Sequence, residues 1–207
     1  MLLGGRFELQ ARIGVGGSAS VYRALDTQRD DLAAVKVLHP DLTGEERTAE
    51  RFVREIEVHR RLDHPGIPAY RASSSEGMHW MATDFVEGDC LAALASRGLK
   101  PSEVATWGLE LCATLGWLHD LGIVHRDVKP DNVMVDRDGR ALLLDLGIAR
   151  TEARITQHGD LMGTPGFMPV EQELDPRDAD PRTDLYALGV SLYAVLTLRS
   201  GAELAYD

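Results

Sequence analysis

The most informative segment of the chain reads His125-Arg126-Asp127-Val128-Lys129-Pro130-Asp131-Asn132. An apolar strand candidate follows this segment, and Asp145-Leu146-Gly147 comes next. Each of these elements taken singly is a weak signal. Their meaning depends on what precedes them in the chain.

A glycine-rich segment, Gly14-Val15-Gly16-Gly17-Ser18-Ala19-Ser20-Val21, lies between strand candidates at residues 6–13 and 21–25. Glycines let a backbone approach a phosphate closely, and their amides can donate to its oxygens. The alternative is an ordinary glycine-rich hairpin. The segment lacks the Gly-Lys-Ser/Thr ending of a P-loop NTPase.

A single lysine, Lys36, lies in the apolar strand candidate at residues 32–38. A buried ammonium needs an anionic partner. Glu55 is the candidate, because it lies on the amphipathic helix predicted over residues 45–62. The alternative is a strand-edge lysine whose ammonium reaches solvent.

Further strands are predicted at residues 67–71 and 78–85, joined by a polar turn at residues 73–77. The pattern then changes to helices, at residues 91–96 and 101–120. Pro101 suits the first turn of the longer helix. The first part of the chain is therefore predicted to be a small, mainly antiparallel sheet with one helix, and the second part to be mainly helical.

In this order the motifs resemble those of the eukaryotic-like protein kinase family, in its bacterial serine/threonine form. The resemblance extends from the glycine-rich loop to Asp184. It implies an α+β, two-lobed kinase fold. The N-lobe would occupy residues 1–87, and a C-lobe that is incomplete at its end would occupy residues 88–207.

The resemblance also implies roles for the polar residues. Lys36, oriented by Glu55, would contact the α- and β-phosphates of ATP. Asp127 would orient the substrate hydroxyl or accept its proton, and Lys129 would lie near the transferred phosphate. These roles answer what phosphoryl transfer requires, which is a held nucleotide, neutralised charge and an aligned nucleophile.

Asn132 and Asp145 resemble the family's magnesium ligands, and amide and carboxylate oxygens suit Mg²⁺. Arg126 resembles the arginine that binds a phosphorylated activation loop. The residues expected around the nucleotide are Ile13, Gly14, Val15, Gly16, Gly17, Val21, Ala34, Lys36, Thr83, Asp84 and Val86.

Within that group, Thr83 aligns with the residue at the back of the adenine pocket, and residues 84–86 align with the hinge that recognises adenine. The alternative for Thr83 is an ordinary strand threonine. Lys129 and Thr164 resemble serine/threonine rather than tyrosine kinases. Thr156 is the candidate autophosphorylation site, with a solvated loop threonine as the alternative.

Three departures from the family pattern occur at Ala19, at Leu146 and at Pro169-Val170-Glu171. Ala19 and Leu146 are mild changes. At residues 169–171 the proline is shifted by one position, and the substrate-receiving loop is expected to be distorted.

The apolar segment at residues 182–198 resembles the central helix of the large lobe, in which Asp184 would brace the catalytic loop. The resemblance implies a chain that stops about a quarter short of a full kinase domain. An exposed outer face of this helix would favour self-association.

The expected function is transfer of the ATP γ-phosphate to protein serine or threonine hydroxyls with Mg²⁺. The alternative is a pseudokinase or scaffold that is weak or inactive because the large lobe is incomplete. A small-molecule phosphotransferase of related fold is a third reading. Arg126 and Lys129 weigh against it.

Bulk properties agree with an enzyme of this kind. Hydrophobic residues make up 44% of the 207, enough for a packed core, and the formal net charge of −11 argues against a nucleic-acid partner. Cys90 and Cys112 form no metal-binding or disulfide pattern. With no signal peptide or membrane span evident in the sequence, a cytoplasmic location is expected.

Overall fold

The residues that the computed structural model describes are 1–146, 166–167, 169, 180–199 and 203. The chain divides into two compact units. The first contains residues 1–64 and 68–86, and the second contains residues 65–67 and 87–207. That these units are the two lobes implied by the resemblance stays a prediction.

The first unit is built on one antiparallel sheet with the strand order β1-β2-β3-β4-β6-β5. Its strands are β1 (Leu2–Leu3), β2 (Phe7–Val15), β3 (Ala19–Asp26), β4 (Asp31–Leu38), β5 (Tyr70–Ser74) and β6 (Trp80–Asp84). A 3₁₀ turn at Pro40–Leu42 and helix α1 (Glu46–His59) follow β4.

The alternating side chains of β4 divide this sheet into two faces. Ala33, Val35 and Val37 are buried on one face, in a cluster with Phe7 and Trp80. The rings of Phe7 and Trp80 meet edge to face, with centroids 5.5 Å apart. Because successive residues of a strand point to opposite sides, the side chain of Lys36 belongs to the other face.

Helix α1 packs against that second face. Met81 lies opposite Lys36 across the β4–β6 pair and is buried in a cluster with Phe52 and Ile56 of α1. Phe52, Ile56 and His59 are buried at the spacing of one helical face. Burial of Phe52 and Ile56 contributes about 2 kcal/mol each, and it brings Glu55 to the level of Lys36.

The second unit contains a three-stranded antiparallel sheet in the order β7-β8-β9, together with three described helices. These elements are β7 (Gly88–Cys90), α2 (Leu91–Ala95), α3 (Pro101–Asp120), β8 (Val133–Asp136), β9 (Ala141–Leu143) and α4 (Pro181–Thr197), with a 3₁₀ turn at Pro130–Asn132.

Helix α3 holds the β8–β9 hairpin through two polar contacts. The Trp107 indole Nε1 donates to the Gly139 carbonyl oxygen at 3.0 Å. The Glu110 carboxylate accepts from the Ala141 amide at 2.8 Å. Since β8 follows Asn132 and β9 leads to Asp145, these contacts fix the hairpin between the two candidate metal ligands.

The α+β class is confirmed, and α3 has the predicted bounds. The strand predicted at residues 67–71 instead begins at Tyr70. Pro68 lacks the amide hydrogen that a ladder needs. The polar residues Ser73 and Ser74, predicted as part of a turn, pair with Met81 and Trp80 in the sheet.

Helix α4 carries apolar side chains on an exposed face. Leu185, Tyr186, Tyr193 and Leu196 are between 44% and 51% exposed. Self-association through this face stays a prediction.

Among the residues that the structure describes, no helix combines the length and apolar character needed to cross a membrane.

Replacement of Gly88 by alanine is expected to destabilise the second unit. A Cβ atom at this position would lie 2.0 Å from the Val135 carbonyl oxygen, a backbone atom of the paired strand β8. We expect Gly88→Ala to lower the free energy of unfolding by about 2 kcal/mol in urea denaturation.

Gly116→Ala is the matched control for that substitution. Gly116 is an exposed residue inside α3, and an added Cβ meets no heavy atom within 4 Å. Alanine should raise stability there by about 1 kcal/mol. Equal effects of the two substitutions would contradict the contact assigned to Gly88.

Candidate functional site

The glycine-rich segment forms the turn between β2 and β3. The Gly16 amide donates to the Ala19 carbonyl oxygen at 2.8 Å, which closes the turn. Gly14, Gly16 and Gly17 all have negative φ, so the backbone conformation does not itself demand glycine. A Cβ at Gly17 would meet no heavy atom within 4 Å. The space beside Gly17 is therefore not filled by the protein.

Four of the residues predicted around the nucleotide share one face of the sheet. Val21 lies opposite Lys36 in the β3–β4 pair. Ala34 lies opposite Thr83 in the β4–β6 pair. Because Ala34 and Lys36 are two residues apart on one strand, all four side chains point to the same side.

The predicted residues at the rim of this face are more exposed. Ile13 is 52% exposed and Val15 is 64% exposed. Asp84 ends β6, and Val86 lies two residues further on and is half-buried.

Lys36 is ion-paired with Glu55. Its Nζ lies 2.6 Å from Glu55 Oε1, and the two side chains are 19% and 4% exposed. The alternative in which Lys36 reaches into solvent does not hold. The pairing follows from the fold, since α1 covers the face of β4 from which Lys36 projects.

The catalytic-loop candidates lie together in the second unit. Asn132 Nδ2 donates to both the carbonyl oxygen and Oδ2 of Asp127, each at 2.8 Å. The Lys129 ammonium lies 3.5 Å from the same Oδ2. The carboxylate of Asp127 is thus held in one orientation beside a positive charge.

His125 stabilises this loop through two hydrogen bonds. The Nε2 atom of this fully buried side chain donates to the Leu144 carbonyl oxygen at 2.9 Å, and the Asp127 amide donates to Nδ1 at 3.3 Å. Burial lowers the pKa of the His125 imidazole, although the nearby Asp184 opposes the shift. The imidazole is therefore neutral at pH 7, which is the state that these two bonds require.

Asp184, in the first turn of α4, anchors the loop. Its side chain is fully buried and accepts from the amide of His125 at 2.8 Å and from that of Arg126 at 2.7 Å. His119 Nε2 lies 2.8 Å from the same carboxylate. Removal of this carboxylate would leave buried amides without their acceptor.

The structure places two residues of the candidate site in the left-handed region of the backbone. Arg126 has φ of 66° and Asp145 has φ of 46°. That conformation disfavours residues with a side chain by about 1–2 kcal/mol. Such local strain persists when surrounding contacts determine the conformation, and for Arg126 the Asp184 carboxylate is such a contact.

Asn132 and Asp145, the candidate metal ligands, flank the β8–β9 hairpin. The Leu144 amide donates to the Asn132 carbonyl oxygen at 2.8 Å, which brings Asp145 next to the loop. Because Nδ2 of Asn132 is committed to Asp127, its amide oxygen Oδ1 is the atom available to a cation. One amide oxygen and one carboxylate fit Mg²⁺, which is commonly bound by one or two carboxylates plus substrate phosphates.

Within the described part of the chain, no group of three or more His, Cys, Asp or Glu side chains is arranged to hold a metal ion.

Two of the departures from the family pattern, Ala19 and Leu146, are buried apolar residues that are 5% and 4% exposed. The predictions for Gly147, Thr156, Thr164 and residues 170–171 lie outside the described residues.

Two residues that contact the candidate site were not predicted. His119 reaches Asp184 across 65 positions of sequence, and Arg71 contacts Asp84, a residue of the candidate hinge, through Nε at 2.6 Å. Neither belongs to a motif. The one signal in the sequence is an arginine inside a short strand candidate, which needs an acidic partner as Lys36 does.

Comparisons with known proteins bear on the family and the fold of this chain. The model of the protein kinase domain family matches residues 7–203. The serine/threonine-protein kinase PknL of Mycobacterium tuberculosis is 36% identical over 201 residues, which cover 95% of this chain and 50% of that protein. A probable serine/threonine-protein kinase of Streptomyces coelicolor is 36% identical over 208 residues, covering 95% of this chain and 31% of that protein.

The solved structures include the crystal structure of the PknI kinase domain of M. tuberculosis. Its TM-score is 0.73 at 27% identity, and the match covers 93% of this chain and 73% of that one. The kinase-like fold implied by the resemblance is therefore confirmed. The chain spans half or less of the length of the curated relatives it matches. By its motifs, fold and sequence, this chain belongs to the protein kinase domain family.

Proposed function

We propose that this chain transfers the γ-phosphate of ATP, with Mg²⁺, to serine or threonine hydroxyls of proteins. The observation that carries the proposal is the fixed Asp127 carboxylate, with Asn132 Nδ2 bonded at 2.8 Å and the Lys129 ammonium at 3.5 Å. The names of the relatives, serine/threonine-protein kinases, support the substrate class.

Asp127 is proposed to orient the substrate hydroxyl and to receive its proton. A base must be within hydrogen-bond reach of the proton that it removes, and its orientation must be fixed in advance. Asn132 provides that orientation through its two bonds. The positive charge of Lys129 is proposed to stabilise the charge that develops on the transferred group.

In the first unit, Lys36 is proposed to bind the nucleotide phosphates. Glu55 holds the ammonium at 2.6 Å from a buried carboxylate, so its position is set before ligand binds. The open space beside Gly17 supports a close approach of phosphate to the backbone. The face shared by Val21, Ala34 and Thr83 is proposed to contact the base.

Asn132 Oδ1 and the Asp145 carboxylate are proposed to hold Mg²⁺. When bound, the ion would neutralise charge on the phosphates. The protein's own contribution is the placement of these two oxygen donors at the ends of a hairpin that Trp107 and Glu110 of α3 fix.

Lys36→Met tests the proposal at the nucleotide end. We expect phosphate transfer to fall about a hundredfold, because a positive group that contacts the phosphates is lost. The measurement is transfer of labelled γ-phosphate from ATP to a generic basic protein substrate, with and without Mg²⁺.

Lys100→Met is the control, since this exposed lysine precedes α3 and contacts none of the site residues in the described structure. It should transfer phosphate as wild type does. Absence of transfer by folded wild-type protein would favour the pseudokinase alternative, and labelling of an aminoglycoside in place of protein would favour the small-molecule phosphotransferase.

A further inference from the structure

A cluster of charged side chains lies at one end of the sheet in the first unit. We call it the charge cluster, and its members are Arg6, Asp26, Asp31, Arg71 and Asp84. Arg71, on β5, is central to it. Its side chain is 5% exposed, and the guanidinium contacts three carboxylates that belong to β3, β4 and β6.

The register of the sheet explains why an arginine is needed there. Asp26 and Asp31 are direct partners across the β3–β4 pair, and like charges in that arrangement repel. Asp26 is also fully buried. Arg71 contacts both carboxylates, at 3.3 Å to Asp26 Oδ2 and 3.0 Å to Asp31 Oδ2.

Asp26 is in turn held by Arg6, through parallel bonds of 2.7 Å from Nε and Nη2. This pairing lowers the pKa of Asp26 to about 2. Burial acts to lower the pKa of the Arg71 guanidinium, but the hydrogen bonds to Asp31 and Asp84 together raise that pKa above its usual value. The Asp26 carboxylate therefore stays ionised throughout the physiological pH range, and the buried end of the charge cluster is fixed.

The other end of the charge cluster is Asp84, the first residue of the candidate hinge. Its carboxylate accepts from Arg71 Nε at 2.6 Å, and its amide donates to the Ala69 carbonyl oxygen at 2.9 Å. Residues 69–71 therefore hold Asp84 by both its backbone and its side chain. Planar guanidinium geometry gives such a contact directional precision that an ammonium lacks.

We infer that Arg71 is a positioning residue for nucleotide binding, which fixes the backbone at residues 84–86 where the base is recognised. The inference rests on the proposed function. Arg71 acts through Asp84, and the rigid connection to Asp26 and Arg6 keeps the guanidinium in place. Pre-organised contacts of this kind raise affinity by removing the need to order the site on binding.

The test compares the affinity of ATP for wild type, Arg71→Gln, Asp84→Asn and the double variant, by titration calorimetry of the purified chain. We expect the Kd of ATP to rise about fivefold in each single variant, since Asp84 is 43% exposed and the pair is only partly desolvated. The double variant should match the single variants within about twofold, because each single variant already removes the contact between Arg71 and Asp84.

Asp31→Asn is the matched control. It weakens a partly exposed contact of the same guanidinium but leaves the Arg71–Asp84 pair in place. Its thermal midpoint should fall while its Kd for ATP stays within about twofold of wild type. A purely structural role for Arg71 predicts a lowered midpoint with unchanged Kd in all of these variants, and that result would overturn the inference.

Arg71→Gln is expected to fold, because Asp26 keeps both bonds to Arg6. If it does not fold, Asp84→Asn alone carries the test, and an unchanged Kd in that variant overturns the inference. Wild-type protein that does not bind ATP would instead overturn the proposed function, and the inference with it. ATP bound by wild type with no phosphate transfer would leave the affinity comparison valid.

Discussion

Asp127→Ala should reduce phosphate transfer about a thousandfold while ATP binding stays within about twofold of wild type. The carboxylate is the proposed proton acceptor, and removal of a positioned general base has an effect of this order. Asp127 belongs to the second unit, whereas Lys36 and the proposed contacts to the base belong to the first. The measurement pairs labelled γ-phosphate transfer with ATP titration calorimetry.

Asp131→Ala is the control for that variant. Asp131 is an exposed carboxylate in the same short 3₁₀ turn as Asn132, so its removal changes the net charge of the loop equally. Transfer should remain within about twofold of wild type. Equal losses in the two variants would assign the effect to loop charge, and wild-type activity in Asp127→Ala would end the proposed role.

Asp184→Asn should lower the free energy of unfolding by about 3 kcal/mol and should also slow transfer. The substitution keeps the size of the side chain but replaces one acceptor oxygen by a donor group. That group would face the His125 amide, the Arg126 amide or His119, all of which the carboxylate now contacts. Breaking a buried charged contact costs about this much.

Urea denaturation measures the first effect, and the activity of the folded fraction measures the second. Asp120→Asn is the control, because Asp120 is an exposed residue at the end of α3 and the substitution makes the same change of charge. Its effect should stay within about 0.5 kcal/mol. Stability like wild type in Asp184→Asn would show that the carboxylate does not anchor the loop.

Residues that are close in sequence made much of the candidate site predictable. One short motif, at residues 127–132, contains Asp127, Lys129 and Asn132, so the sequence pattern identifies all three together. Helix α3 was predicted with its bounds because Pro101 and a long apolar pattern mark it. Lys36 and Glu55 are 19 positions apart, and their pairing could be proposed because both lie on strongly patterned elements.

Contacts that depend on strand register could not be predicted in the same way. Arg71 reaches Asp26 across 45 positions, and its three carboxylates meet only because β5 is added beyond β6 rather than beside β4. The bounds of β5 were predicted wrongly, so this meeting could not be expected. The short strands β1 and β7 also carry too little pattern to be recognised, and Gly88 in β7 has low strand propensity.

The left-handed backbone at Arg126 and Asp145 sets stability and activity against each other in this chain. Glycine adopts that conformation without strain. It would relieve about 1–2 kcal/mol of backbone strain at each position, and the larger conformational entropy of glycine in the unfolded chain would offset part of this gain. At residue 145 the same change would remove a proposed metal ligand. An engineer who selected variants of this chain for heat resistance alone would therefore be drawn toward replacements that weaken the proposed activity, and screens should score turnover alongside melting temperature.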